Sequence, residues 1–202
     1  MHDLEPAELR VLGCLIEKQR TTPDVYPLSI NSLRGACNQS TNRDPVVDYD
    51  EAVIRDALQR LSRRGWVRLA SGPGSRAVKY RHLLDDQLSL DGAEISVLAV
   101  LMLRGPQTPG ELKLRTERLH AFDSLGALHE TLETLINREL AVRHDRRPGQ
   151  KEERYAHLLG GDSSEPAAAA VPTTPAAGGL EARVARLEEQ INELMEALNL
   201  QE

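Results

Sequence analysis

Aromatic side chains are scarce: Tyr26, Tyr49, Trp66, Tyr80, Phe122 and Tyr155 are all that occur in 202 residues. The core must therefore be built from Leu, Val, Ile and Ala. So few rings also exclude the stacking platform on which single-stranded nucleic acid is held. Cysteine is nearly missing. Cys14 and Cys37 each fall in an apolar helical stretch, and neither belongs to a CxxC pair or a Cys/His cluster, so both are expected to be buried thiols rather than metal or redox ligands. The six histidines stand singly, without the spacing of a metal site.

Long apolar runs are absent as well. No stretch approaches the roughly 18 apolar residues of a membrane span, and Met1 to Glu8 is acidic and contains Pro6, unlike a charged-then-apolar leader. The expectation is a cytoplasmic protein without a membrane partner. Catalytic constellations are missing too: there is no nucleophile beside a base, no carboxylate pair and no phosphate loop. Gly72-Pro73-Gly74 lacks the GxxxxGK[ST] pattern and reads as turn chemistry. The sequence thus predicts no enzyme and no cofactor.

An excess of positive charge is also lacking, and the formal net charge is −6. That value is unevenly spread. Lys plus Arg minus Asp plus Glu is 13 − 11 = +2 over residues 1–85, 10 − 12 = −2 over 86–160 and 2 − 8 = −6 over 161–202. The acidity lies in the tail, which leaves a nucleic-acid role open to the body.

What the sequence does contain is a copy of itself. Ala7-Glu8-Leu9-Arg10-Val11-Leu12 aligns with Ala93-Glu94-Ile95-Ser96-Val97-Leu98, and Thr22-Pro23 with Thr108-Pro109, at an offset of 86. Tyr80-Arg81-His82-Leu83-Leu84 aligns with Tyr155-Ala156-His157-Leu158-Leu159 at an offset of 75, so the first copy carries eleven extra residues. These are assigned to the segment Asn38 to Asp50.

Each copy opens on an amphipathic helix, with Leu9, Leu12 and Ile16 answering Ile95, Leu98 and Met102 as an i, i+3, i+7 stripe. Pro6 suits the first turn of one helix, and Asp91 with Glu94 caps the other. Second helices are predicted to start at Ser29 and at the capping box Thr108-Pro109-Gly110-Glu111. Third helices bury Ile54, Leu58 and Leu61 in one copy and Leu128, Leu132 and Leu135 in the other, and Gly65 ends the first of them. The period then shortens to two. Trp66 to Leu69 and Ala77 to Tyr80 flank one turn, and Ala141 to Arg143 and Arg154 to Ala156 flank another. Three helices and a hairpin make a winged helix-turn-helix, so the expected class is α+β, mostly helical, with two such domains in tandem at 1–85 and 86–159.

Residues 160–179 collapse to Ala, Pro, Gly, Ser and Thr, a disordered linker spanning about 25 Å as a coil. Residues 180–202 then place Leu180, Val184, Leu187, Ile191, Leu194 and Leu198 at spacings of 4, 3, 4, 3 and 4. This is a coiled-coil seam, suited to a parallel homodimer or to folding back on the body as a single amphipathic helix.

The runs Thr21-Thr22-Pro23, Tyr26-Pro27-Leu28-Ser29, Ala36-Cys37-Asn38-Gln39, Thr41-Asn42-Arg43 and Pro45-Val46 resemble the YceH family of bacterial proteins. Arg104-Gly105 followed by Gln107 to Leu112 resembles that family's second-repeat signature. The resemblance covers nearly the whole chain. It implies a tandem winged-helix fold and brings no activity with it.

For such a fold the leading reading is a duplex DNA-binding protein of transcription-regulator type, with the third helix in the major groove. In the first copy the face opposite Ile54, Leu58 and Leu61 carries Asp56, Gln59, Arg60 and Arg63, making Gln59, Arg60 and Arg63 the base-edge candidates. Phosphate candidates are Arg43, Arg76, Lys79, Arg146, Arg147 and Lys151. Asn38, Gln39 and Asn42 are loop candidates, although Asn38 can equally cap the second helix and Asn42 form a turn. The second copy turns His129, Glu130, Glu133 and Asn137 outward, a poor face for a polyanion. Packing or a protein partner is expected there, and the rival reading of the whole chain is a protein-interaction scaffold.

Overall fold

The computed structural model describes residues 3–70, 78–146 and 152–160, which fall within one compact unit. The expected linker composition and heptad seam, Leu180 to Leu198, lie outside the described residues, as do Arg76, Arg147 and Lys151. About half of the described residues are helical and the remainder include two small antiparallel sheets, so the class is α+β.

In the first half, Pro6 starts helix α1 (Pro6–Thr21), with the Glu5 N–H donating to the Glu8 carboxylate at 2.9 Å. A single 3-10 turn at Pro23–Val25 leads to strand β1 (Leu28–Ser29). The Ser29 hydroxyl then accepts from Ser32 N–H and caps α2 (Ile30–Cys37), while Asp50 caps α3 (Glu51–Arg63). Gly65, at φ 76°, lets the chain leave α3 in a left-handed conformation open mainly to glycine. Strand β2 (Val67–Leu69) pairs antiparallel with β3 (Lys79–His82), which lies centrally in the order β1-β3-β2. The returning strand thus begins two residues later than the sequence pattern predicts. Neither β1 nor the short helix α4 (Leu84–Leu88) announces itself in the sequence.

The second half repeats the plan with α5 (Gly92–Arg104), α6 (Pro109–Thr116), α7 (Leu125–Asn137) and the hairpin of β4 (Ala141–His144) with β5 (Arg154–His157). Both expected capping boxes form, Asp91 with Glu94 and Thr108 with Glu111. The counterpart of β1 is a single residue. Gln107 exchanges backbone hydrogen bonds with Tyr155 at 3.0 and 2.8 Å.

The duplication extends to an ion pair between a buried carboxylate and a partly exposed arginine. Glu8, in the first turn of α1, lies 3.7 Å from Arg64, which caps the end of α3, and Glu94 in α5 lies 2.8 Å from Arg138, which caps α7. Each half thereby ties the start of its first helix to the end of its third. Helix caps also relocate the eleven extra residues. From the caps Glu5 and Asp91 to Ser29 and Thr108 the offset falls from 86 to 79, and at Asp50 and Ser124 it is 74. Seven of the residues therefore precede α2, and five lie between α2 and α3, where the sequence reading had placed them all; the hairpin gives one back.

Helices α1 and α5 depart from the expected amphipathic form. Every residue of α5 from Glu94 to Leu103 is buried, as is every residue of α1 from Arg10 to Ile16. The cause is that α1 and α5 pack on each other and each also carries its own half, so neither has a solvent face along its centre.

One buried histidine predicts a pH response. His157 is buried, its Nδ1 accepts from the Leu159 N–H at 3.3 Å, and burial lowers its pKa to about 4. Below the ordinary value near 6.5 the unfolded chain takes a proton that the folded imidazole refuses until about pH 4. The contribution is thus fully present above pH 6.5 and is lost as pH falls through that window. Urea unfolding at pH 7 and pH 5 should show about 2 kcal/mol of loss from this residue. In His157→Asn, which retains an acceptor but no titrating ring, that part of the loss should vanish. An unchanged pH slope would refute it.

Candidate nucleic-acid interface

Helix α3 owes its exposed face to its spacing: Ile54, Ala57, Leu58 and Leu61 turn inward, which at about 100° per residue leaves Ala52, Asp56, Gln59 and Arg63 on the outward arc. Arg55 flanks them, and all five are exposed. The three base-edge candidates Gln59, Arg60 and Arg63 accordingly share one solvent-facing surface.

Their electrostatics differ. Arg60 is paired with Asp56 at 2.9 Å, but both side chains are about half exposed, and such surface pairs hold their partners weakly. Arg55 is paired likewise with Glu51. For Gln59 and Arg63 no side-chain hydrogen bond or ion pair occurs among the described residues. On one flank acids intrude. Arg60, Arg63 and Arg64 share a shallow depression of about 360 Å³ with Asp3, Glu5 and Glu8 at the start of α1.

Beside α3, the strand pair adds Arg68 opposite Arg81 in register, with Arg81 4.0 Å from Asp86. Lys79 is half-buried in β3. In the second half Arg146 is exposed beyond β4, while Arg143 faces Glu153 at 3.9 Å. His129, Glu130, Glu133 and Asn137 stand exposed on α7 as the spacing predicts.

Asn38 and Gln39 are half-buried and Asn42 is exposed, whereas Arg43 is buried, which corrects its assignment as a phosphate contact. Its side chain has no exposed surface: the guanidinium donates to both Glu17 oxygens at 3.1 and 2.6 Å, to Gln39 Oε1 at 2.9 Å, and to the Ala36 and Asn42 carbonyls at 3.1 and 2.8 Å. No donor remains for a phosphate. Asn38 caps α2 and its side-chain amide clamps Tyr49, accepting from its N–H at 2.9 Å and donating to its carbonyl at 2.9 Å. Asn42, at φ 61°, accepts from Arg104.

Sequence reading missed three features here. Arg55 precedes Gln59 by one helical turn and was legible from periodicity. Arg10 was not: it is buried, donating to the Cys37 and Pro45 carbonyls at 3.0 and 2.6 Å. Cys14 and Cys37 are both buried free thiols, in α1 and α2. The third missed feature is a group of arginines between the halves, described below.

These positions invite comparison with known proteins. A model of the family described as "Protein of unknown function, DUF480" matches residues 4–150. The chain belongs to this family. Within it, the chain is 48% identical over 200 residues to a UPF0502 protein of Pelobacter propionicus, covering 96% of this chain and 90% of that one. It is 42% identical over 205 residues to the UPF0502 protein YceH of Escherichia fergusonii, covering 98% and 95%. A UPF0502 protein of Azoarcus is 48% identical over 195 residues, covering 95% and 86%. The YceH resemblance carried by Thr21 to Val46 is therefore a family relationship. In this DUF480 member the inserted loop, where the motif is densest, serves internal packing. Among the described residues no helix is long and apolar enough to cross a membrane.

Proposed function

We propose that this chain is a duplex DNA-binding protein of transcription-regulator type, non-enzymatic and built on two tandem winged-helix units, with α3 of the first as the groove-facing element. The reading is carried by one observation: Gln59 and Arg63, one turn apart on the outward face of α3, stand exposed and make no side-chain hydrogen bond or ion pair among the described residues. Arginine and glutamine are suited to guanine and adenine edges in the major groove. Arg68 on the adjoining strand supplies phosphate contacts. Its ion pair with Asp56 gives Arg60 the smaller part.

Binding of the full chain to random duplex DNA, followed by anisotropy between about 50 and 200 mM salt, tests the reading. Affinity should fall linearly on logarithmic axes, with two chains per bound duplex if the heptad tail pairs them. Arg63→Ala should weaken binding several-fold, and Arg68→Ala should lower the salt slope by about one. Salt-independent affinity, or none, would reject DNA and favour the scaffold reading, for which the exposed Glu130 and Glu133 of α7 are the natural face.

A further inference from the structure

Between the two halves lies a cavity of about 600 Å³, walled by α1 and the 38–50 loop on one side and by α5 and α6 on the other. Four cations line it: Lys18, Arg104, Arg115 and Arg118. One carboxylate does, Glu17, and it is already engaged by both nitrogens of the Arg43 fork and by Lys18 at 3.2 Å. Arg115 has a partial counter-charge in Glu111 at 3.5 Å. Arg104 donates to the neutral Asn42 and has no ion pair among the described residues, with Glu17 and Glu111 acting on it only at longer range, and Arg118 is exposed with no ion pair among the described residues.

Guanidinium groups gathered around one cavity without matching carboxylates repel one another, and an anion entering between them relieves that repulsion. Burial, and after it the Arg115 and Arg43 charges, lower the pKa of Arg104 from its ordinary value. The rest of the lining is not polar throughout. Val100 and Leu103 form a buried apolar floor, and Leu114, with Leu119 beside it, is 77% exposed although it points from a helix that packs on the core. An exposed leucine and a buried apolar floor in one cavity rimmed by arginines suit an amphipathic anion, in which a few placed charges orient a mostly apolar body.

We infer that this cleft binds a small organic anion, its phosphate, sulfonate or carboxylate head held by Arg104, Arg115 and Arg118 and its apolar body lying on Val100, Leu103 and Leu114. Because the walls come from both halves, the occupant bridges them and stabilises the unit as a whole. The site is separate from the α3 face and does not depend on the DNA reading.

The test uses the full chain and 8-anilinonaphthalene-1-sulfonate, an apolar-bodied anion whose fluorescence reports burial. Binding should saturate at one probe per chain, and Arg118→Glu, an exposed substitution, should weaken it at least tenfold while circular dichroism stays unchanged and the thermal midpoint without probe does not fall, since a carboxylate at this position relieves the same repulsion. Octyl phosphate should displace the probe at lower concentration than inorganic phosphate, and should raise the thermal midpoint of the parent chain but not of Arg118→Glu. Unsaturable fluorescence, equal binding by parent and variant, or equal displacement by octanol and octyl phosphate would each overturn the inference. So would loss of duplex DNA affinity in Arg118→Glu without any saturable anion binding, since the arginines would then serve the nucleic-acid backbone.

Discussion

Replacing Arg43 with alanine should destabilise the protein by about 3 kcal/mol, the scale expected when one partner of a buried, hydrogen-bonded ion pair is removed. The side chain is fully covered and supplies five hydrogen bonds. Two go to Glu17, across 26 residues of sequence, and hold its carboxyl below the ordinary range against the opposing effect of burial. The Ala36 carbonyl belongs to the last turn of α2, where a cation also meets the negative end of the helix dipole. Alanine would strand all of these acceptors at once. For a unit of this size the thermal midpoint should drop by roughly 6–12 °C. Lysine is expected to recover little, because one ammonium cannot span the fork that the guanidinium fills. The double substitution Arg43→Ala with Glu17→Ala should cost less than the two single costs added together, since no charge is left unpaired. A midpoint within about 1 °C of the parent for Arg43→Ala would show that the loop is not held this way.

That prediction also explains what could and could not be read from the residues alone. Helix starts were legible because their causes are local. Ser29, Asp91 with Glu94, and Thr108 with Glu111 act within three residues of the backbone they satisfy. The buried stripes of α3 and α7 were legible for the same reason. Arg43 was not, since its sign suggests a phosphate while its partner Glu17 is brought near only by folding. In the same way β1 is two residues long and exists because β3 offers it an edge, at Leu28 opposite Tyr80 and Ser29 opposite Lys79. Repeat alignment pairs the element order of the two halves but does not divide the insertion. Thr22-Pro23 and Thr108-Pro109 match as letters, yet one pair opens a 3-10 turn and the other an eight-residue helix. The same ambiguity governs the candidate interface: exposure of Gln59 and Arg63 followed from periodicity, whereas Glu5 and Glu8, which share a depression with Arg60 and Arg63, come from the start of α1 and are brought near only by folding.

Substituting Gly13 by leucine should cost about 3 kcal/mol, at the upper end of what overpacking a core produces. Glycine inside a helix is unfavourable by about 1 kcal/mol relative to alanine, so its presence in the middle of α1 calls for a compensating contact. The contact is with α5. A Cβ at position 13 would lie 2.9 Å from Leu103 Cγ, 3.0 Å from Leu103 Cδ2 and 3.4 Å from Met102 Cβ. Leu103 is buried and its branch point, not merely a methyl tip, is in the way, so rotamer adjustment alone cannot make room. The repeat-equivalent position, at the offset of 86, is Ala99, also small and fully buried. Alanine at 13 gains helix propensity and loses packing, for a net cost of about 1 kcal/mol, and leucine adds three further carbons to the same overlap. Chemical denaturation should therefore rank the parent chain above Gly13→Ala and that above Gly13→Leu. The decisive comparison is Gly13→Leu with Leu103→Ala. Alone, Leu103→Ala should cost about 2–5 kcal/mol through the cavity it leaves. Combined with Gly13→Leu it should cost less than the larger single change, because the added side chain fills the vacated space. Simple additivity of the two would mean that α1 and α5 are not in the close register on which the cleft of Arg104, Arg115 and Arg118 depends.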